Sequence, residues 1–307
     1  MKNSIADQLL KRFSEKQALI LDGATGTEIE RHGLSCKLPL WSTHALIADP
    51  SIVQQIHEDY IEAGSEIITA NTFRTNKRVF KNAGVDDRST ELTHLVVRLA
   101  KDAVRNKSVK KTVWVAGSMA SLEDCYRPDL IPSVDILKEE HTEHAQNLIN
   151  AGVDIIFIET MNSSLEANYA LEAAMKFDIP VFVGFVANSS GKLLSGESFS
   201  AVVDLYNKYK PAGVMINCTP VDQVNQPLEF LLNNNIEVVG VYANIGHVHD
   251  EKGWESTQEI QAVAYAENAL KWVDRGVKLI GGCCGTSPEY IREIKKILYK
   301  NIAIING

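Results

Sequence analysis

Two adjacent cysteines, Cys283 and Cys284, stand between glycines in the run Gly281-Gly282-Cys283-Cys284-Gly285-Thr286. Neighbouring thiols on such a turn suit a single metal ion, although a redox pair has the same look. Cys218 ends another apolar run, Met215-Ile216-Asn217-Cys218, and reads either as a third sulfur ligand or as a small buried hydrophobe. If the three thiolates meet, zinc is the metal they favour. With three protein ligands its fourth position stays open to water or substrate, which separates a catalytic zinc from a closed structural one. Cys36 and Cys125 follow the first and third apolar runs, and a fourth sulfur from either would close the site. The His-x-His spacing of His247 and His249 also suits zinc, but on a loop it reads as solvated surface and is left out of the ligand set.

Composition limits what such a site serves. The chain has 307 residues, 45% hydrophobic and 23% charged, enough for a substantial core. Its formal net charge of -8 and the lack of a long basic run argue against nucleic acid as a partner. Residues 1–13 lack the apolar centre of a signal peptide, and no run approaches the roughly 20 apolar residues of a membrane span. Five cysteines make a poor disulfide framework and fit thiolate chemistry in a reducing compartment, so a cytoplasmic location is expected.

The elements that must position these residues follow from hydropathy. Short apolar runs at 18–21, 66–70, 112–116, 154–158, 180–186, 213–216, 237–241 and 278–280 read as eight strands, near-continuously apolar as parallel strands buried on both faces are. Amphipathic stretches alternate with them. Asp49-Pro50 opens a helix over 51–63 that Gly64 stops, and Ser287-Pro288 opens the last one. Further helices are predicted near 90–105, 133–150, 164–176, 199–208, 221–233 and 257–275. Eight β-α units in about 300 residues predict a (β/α)8 TIM barrel spanning 1–307 as a single domain, with a doubly wound open sheet as the alternative.

In a barrel the site lies at the C-terminal strand ends, and polar residues collect there. Asp22-Gly23-Ala24-Thr25-Gly26-Thr27-Glu28, Asn71-Thr72-Phe73, Glu159-Thr160, Asn217-Cys218, Tyr242-Ala243-Asn244 and Gly281-Gly282-Cys283-Cys284-Gly285 follow successive strands. In isolation, Asp22 also reads as a turn cap and Glu159 as half of a structural ion pair. Taken together, in this order and nearly end to end, these motifs resemble the zinc-dependent homocysteine S-methyltransferases, the betaine- and cobalamin-dependent homocysteine methyltransferase domains included.

The resemblance implies roles. Cys218, Cys283 and Cys284 would hold Zn2+, with the homocysteine sulfur in the open position and Asn244 as a ligand or near-ligand when substrate is absent. Asp22 and Glu159 would receive the homocysteine ammonium, and backbone N–H groups of Gly23, Ala24 and Thr25 its carboxylate, with Asn71 also at the substrate site. The thiolate would then take a methyl group from an activated donor, giving methionine. An onium donor suits aromatic faces, for which Trp41 and Phe73 are the candidates. The stretch 117–128 is not the Gly-Pro-rich one of relatives specialised for S-methylmethionine, and Met215 and Ala243 replace a glycine and a proline. A standalone enzyme using S-methylmethionine or S-adenosylmethionine is the expectation, before betaine, corrinoid or folate donors or a selenol acceptor. A non-catalytic zinc-stabilised barrel is the alternative of another class.

Overall fold

The computed structural model describes residues 4–15, 17–107, 111–249, 253–256 and 260–305, without the side chains of 247–249, 253–256 and 301–305. Its main sheet contains β1 (Leu19–Ile20), β2 (Ile67–Ala70), β3 (Trp114–Met119), β4 (Ile155–Met161), β5 (Val181–Phe185), β6 (Gly213–Pro220) and β7 (Val239–Asn244). An antiparallel hairpin, β8 (Gly246–His249) with β9 (Gly253–Ser256), precedes the last barrel strand, β10 (Leu279–Gly282). The sheet order is β1-β10-β7-β6-β5-β4-β3-β2, parallel throughout. The seam between β1 and β2 closes through a parallel bridge from Leu21 to Ile67, and Glu66 N–H donates to Ile20 O at 2.7 Å. Each strand therefore lies beside its predecessor in the barrel, with no reversal of order. That settles the choice in favour of the TIM barrel over the open sheet.

Alternation along the strands builds two cores. Leu19, Leu21, Ile67, Trp114, Ile155, Phe157, Phe182, Met215 and Leu279 form one apolar cluster inside the barrel. Their neighbours Ile20, Ile68, Val115, Ile156, Ile158, Val183 and Ile280 join the larger layer under the helices. A helix not expected from the sequence, Ile5–Phe13, opens with a Ser4/Asp7 capping box and places Leu9 and Phe13 against the interior cluster. Phe13 meets Phe182 edge to face at 6.1 Å.

Most predicted helices form close to their expected bounds: Pro50–Ala63 is capped by Asp49 and stopped by Gly64 at φ 123°, and Ser89–Lys107, Val134–Ala151 and Pro288–Ile305 follow suit. The span 221–233 does not run as one helix. A 3-10 turn at Val221–Gln223 comes first, and the helix is Asn225–Leu232, because Pro227 fits only in a first turn, where its missing N–H costs nothing. The helix expected over 257–275 is Ala262–Asp274, and residues 257–259 lie outside the described residues. No described helix is long and apolar enough to cross a membrane.

Candidate active site

The glycine-cysteine run after β10 is held on all sides by backbone. Gly282 N–H donates to Asp22 O (3.0 Å), Cys283 N–H to Ala243 O (2.9 Å) and Thr286 N–H to Cys283 O (3.0 Å), while Thr27 Oγ1 accepts from Gly285 N–H (3.1 Å). Gly285 lies at φ 85°, and a Cβ on Gly282 would collide with the Thr286 side chain, so both positions need glycine.

Cys218 reaches the same place by a different device. Register breaks interrupt β4 between Ile158 and Met161 and β6 between Asn217 and Pro220. Thr160 and Cys218 sit in them at φ 56° and 50°, left-handed conformations that cost a non-glycine residue about 1–3 kcal/mol. Asn217 ties the two breaks together: its Oδ1 accepts from Thr160 N–H (3.0 Å) and its Nδ2 donates to Thr160 Oγ1 (2.7 Å). Glu159 and Cys218 thus leave their strands on two linked bulges.

The result is a three-sulfur cluster. Cys218 Sγ lies 3.5 Å from Cys284 Sγ, and the sulfurs of Cys218, Cys283 and Cys284 are all within 4.8 Å of one another. Tetrahedral coordination at a Zn–S distance of about 2.3 Å puts sulfurs roughly 3.8 Å apart, so the donor set and its spacing fit a zinc ion. Three thiols this close, two of them buried, cannot all ionise without a cation. Hydrogen bonds from Cys283 and Cys284 hold Cys218 well below the usual thiol range, and the other two thiols are pushed up. Neither Cys36 nor Cys125 belongs to the cluster, which removes the four-cysteine arrangement among the described residues.

Around the cluster opens a cavity of about 470 Å³ lined by Asp22, Gly23, Ala24, Thr25, Trp41, Asn71, Phe73, Glu159 and the three cysteines. Asp22 accepts from Thr69 twice, N–H to Oδ2 (2.6 Å) and Oγ1 to Oδ1 (3.1 Å), yet burial still pushes its carboxyl up to about 7. Burial, then the charges of Asp22 and Cys218, push Glu159 up to about 8. A pair of buried acids raised in this way lacks a cation. Ala24 lines the cavity, and its N–H donates to Thr286 Oγ1 at 3.3 Å. The Asn71 amide is spent on Ser42, accepting from its Oγ (2.6 Å) and donating to its carbonyl (3.0 Å), which fixes the segment bearing Trp41. Trp41 and Phe73 pack edge to face at 5.6 Å.

Asn244 is fully buried and is not among the cavity-lining residues. Its Nδ2 donates to Cys218 O at 2.8 Å, so in this arrangement it steadies the backbone of a cluster residue. The side chains of His247 and His249 lie outside the described residues. Tyr126, Tyr242 and Arg74 are among the cavity residues that sequence reasoning missed. The hydroxyls of both tyrosines are buried without a hydrogen-bond partner. Tyr242 stands inside a motif read only for its asparagine, and nothing in the spacing of Tyr126 or Arg74 marks them.

A parallel β/α barrel with a metal-competent thiol cluster beside two cation-seeking acids, all at the strand ends, defines a class of barrel enzymes whose site can hold a metal ion and a small cationic substrate. Comparison with known proteins narrows the class. A sequence model of the family described as homocysteine S-methyltransferase matches residues 19–298, and the chain belongs to that family. It is 30% identical to homocysteine S-methyltransferase 1 of Arabidopsis thaliana, over 97% of this chain and 98% of that protein. It is 28% identical to a selenocysteine methyltransferase of Astragalus bisulcatus, over 92% and 93%. The metallated form of the homocysteine methyltransferase MmuM from Escherichia coli superposes with a TM-score of 0.81 at 27% identity, covering 96% of this chain and all of that one. The family resemblance read from the strand-end motifs is thereby borne out.

Proposed function

We propose that the chain is a zinc-dependent homocysteine S-methyltransferase that takes a methyl group from a sulfonium donor, S-methylmethionine or S-adenosylmethionine, and releases methionine. The observation that carries this reading is the placing of three sulfurs within 4.8 Å of one another in the same cavity as Asp22 and Glu159. Cys218, Cys283 and Cys284 hold the zinc, and Asn244 supports Cys218. Zinc, when bound, takes the place of the proton on the acceptor thiol and so supplies a thiolate at neutral pH.

The protein's own groups do the rest. Asp22 and Glu159 bind the ammonium of homocysteine, and the backbone of Gly23, Ala24 and Thr25 receives its carboxylate, which fixes the sulfur over the cluster. Trp41 and Phe73 wall the donor side and exclude water. An S–CH3 bond forms as the donor's C–S+ bond breaks; the electron pair leaves with the donor sulfur, which becomes a neutral sulfide, and the acceptor's thiol proton passes to solvent. No general base is needed, which agrees with a cavity whose carboxylates are placed to pair with a cation. Residues 1–307 serve as one homocysteine-binding unit, and a site that needs three reduced thiols works in a reducing compartment such as the cytoplasm.

X-ray absorption on the zinc-loaded protein tests the acceptor half: homocysteine should replace an oxygen or nitrogen neighbour of zinc by a fourth sulfur, and Cys283→Ala should lose most of the metal. An unchanged spectrum would sink the proposal. Methionine formation from separate mixtures with S-methylmethionine, S-adenosylmethionine, betaine and methyltetrahydrofolate tests the donor half, and no product from either sulfonium compound would reject that class.

A further inference from the structure

Arg74 lines the same cavity, in the turn between β2 and the helix Lys77–Ala83. It is 6% exposed, its Nε is sealed from solvent with no hydrogen-bond partner, and among the described residues no carboxylate pairs with its guanidinium. Other arginines withdrawn from solvent are treated differently: buried Arg12 makes two bonds to Glu66 (2.8 and 3.1 Å), and half-buried Arg78 bonds Glu123 and Glu140. A guanidinium cannot shed its charge, so leaving it buried without an anion is unfavourable. The position is moreover rigid. Thr72 Oγ1 donates to Ser118 O (2.9 Å), Thr75 Oγ1 meets Thr93 Oγ1 (2.7 Å), and Asn76 Oδ1 caps the following helix through Val79 N–H (3.1 Å). What remains variable is the anion.

The neighbours of Arg74 indicate which anion. Its Cζ lies 5.7 Å from the centroid of Phe73, which in turn packs against Trp41. Aromatic faces suited to an onium cation therefore stand next to an unpaired guanidinium suited to a carboxylate. We infer that Arg74 receives the carboxylate of a zwitterionic methyl donor whose onium centre rests on Trp41 and Phe73, so that the site selects amino-acid-type onium donors over simple cations. The inference rests on the methyltransferase reading for its donor. A cation without a carboxylate would leave Arg74 unpaired and would be repelled by it, a selection by penalty as well as by contact.

Calorimetry on the zinc-loaded protein without homocysteine, where no methyl transfer occurs, tests the site with S-methylmethionine and its α-carboxamide as probes. The wild type should bind the carboxylate form at least tenfold more tightly, Arg74→Gln should abolish that preference with a loss of about 10- to 100-fold, and Arg74→Lys should recover part of it. Homocysteine affinity, titrated in parallel, should not move. Equal binding of both probes to the wild type, or no binding of S-methylmethionine, would overturn the inference. So would a preference that survives Arg74→Gln, or a variant that weakens homocysteine instead, since Arg74 would then serve the acceptor. Methionine formation by the wild type is read separately: its absence alongside carboxylate-dependent binding would sink the transferase reading and leave the Arg74 site standing.

Discussion

Asp22 and Glu159 hold protons that most carboxyls release, and a cation is what would take those protons' place. With Asp22 near 7 and Glu159 near 8, both raised first by burial, the ligand-free site is partly protonated at neutral pH. An ammonium binds best when both are ionised, so homocysteine affinity should rise more steeply with pH through about 7 to 8 than above, where only the thiol proton displaced on binding still contributes. Glu159→Gln should retain the metal, weaken homocysteine about 10- to 100-fold and flatten the upper part of that rise, in parallel titrations at pH 6.5, 7.5 and 8.5. The same shifts act on stability with a definite sign. A folded-state carboxyl raised above its unfolded value of roughly 4 favours the folded state at low pH and loses that advantage as pH climbs towards 8. The ligand-free wild type should therefore lose more stability between pH 6 and 8.5 than Glu159→Gln does, as read by urea midpoints; equal losses would contradict the assigned burial.

At the scale of elements, the active site depends on two broken strands. Were β4 and β6 regular to their ends, Glu159 and Cys218 would follow the alternation of their strands instead of entering the cavity from linked bulges. Asn217 is the tie, through its two bonds to Thr160 at 3.0 and 2.7 Å. Asn217→Ala should leave Cys283 and Cys284 in place but loosen Cys218, lowering zinc affinity about tenfold and stability by about 1–3 kcal/mol, since Thr160 N–H is left buried and unpaired. Zinc competition with a chelator and urea unfolding measure the two effects. A variant with unaltered zinc affinity would show that the bulges hold without their cross-tie.

At the scale of the whole molecule, barrel closure decides whether the strand ends converge at all. Arg12 and Glu66 join the N-terminal helix to the seam: beyond its two bonds to Glu66, Arg12 donates to Gln17 O (2.8 Å) and Ala18 O (3.1 Å), and Glu66 Oε2 accepts from Ile20 N–H (3.3 Å). Arg12→Ala leaves the buried Glu66 carboxylate with only Lys111 at 3.7 Å and Ile20 N–H, and should cost about 3 kcal/mol in urea unfolding, with zinc binding preserved in the folded fraction. Loss of zinc without loss of stability would mean that the seam governs the distant strand ends directly.

Chemistry that resides in residue type was readable before any fold. Two neighbouring cysteines between glycines, a third at a strand end, and acids after apolar runs carry their metal and ammonium chemistry in their own atoms, and the eight apolar runs located their barrel because parallel strands buried on both faces must be apolar throughout. What the sequence could not decide depends on which side chains meet. The left-handed turns at Thr160 and Cys218, the bonds of Ala24 N–H to Thr286 and of Asn244 to Cys218, and the entry of Tyr126, Tyr242 and Arg74 into the cavity arise from contacts between residues far apart in the chain. Arginine reads alike in sequence whether or not a carboxylate faces it. Only the closed barrel, by bringing Arg74 to a cavity wall with no carboxylate partner among the described residues, separates an ion pair from a binding site.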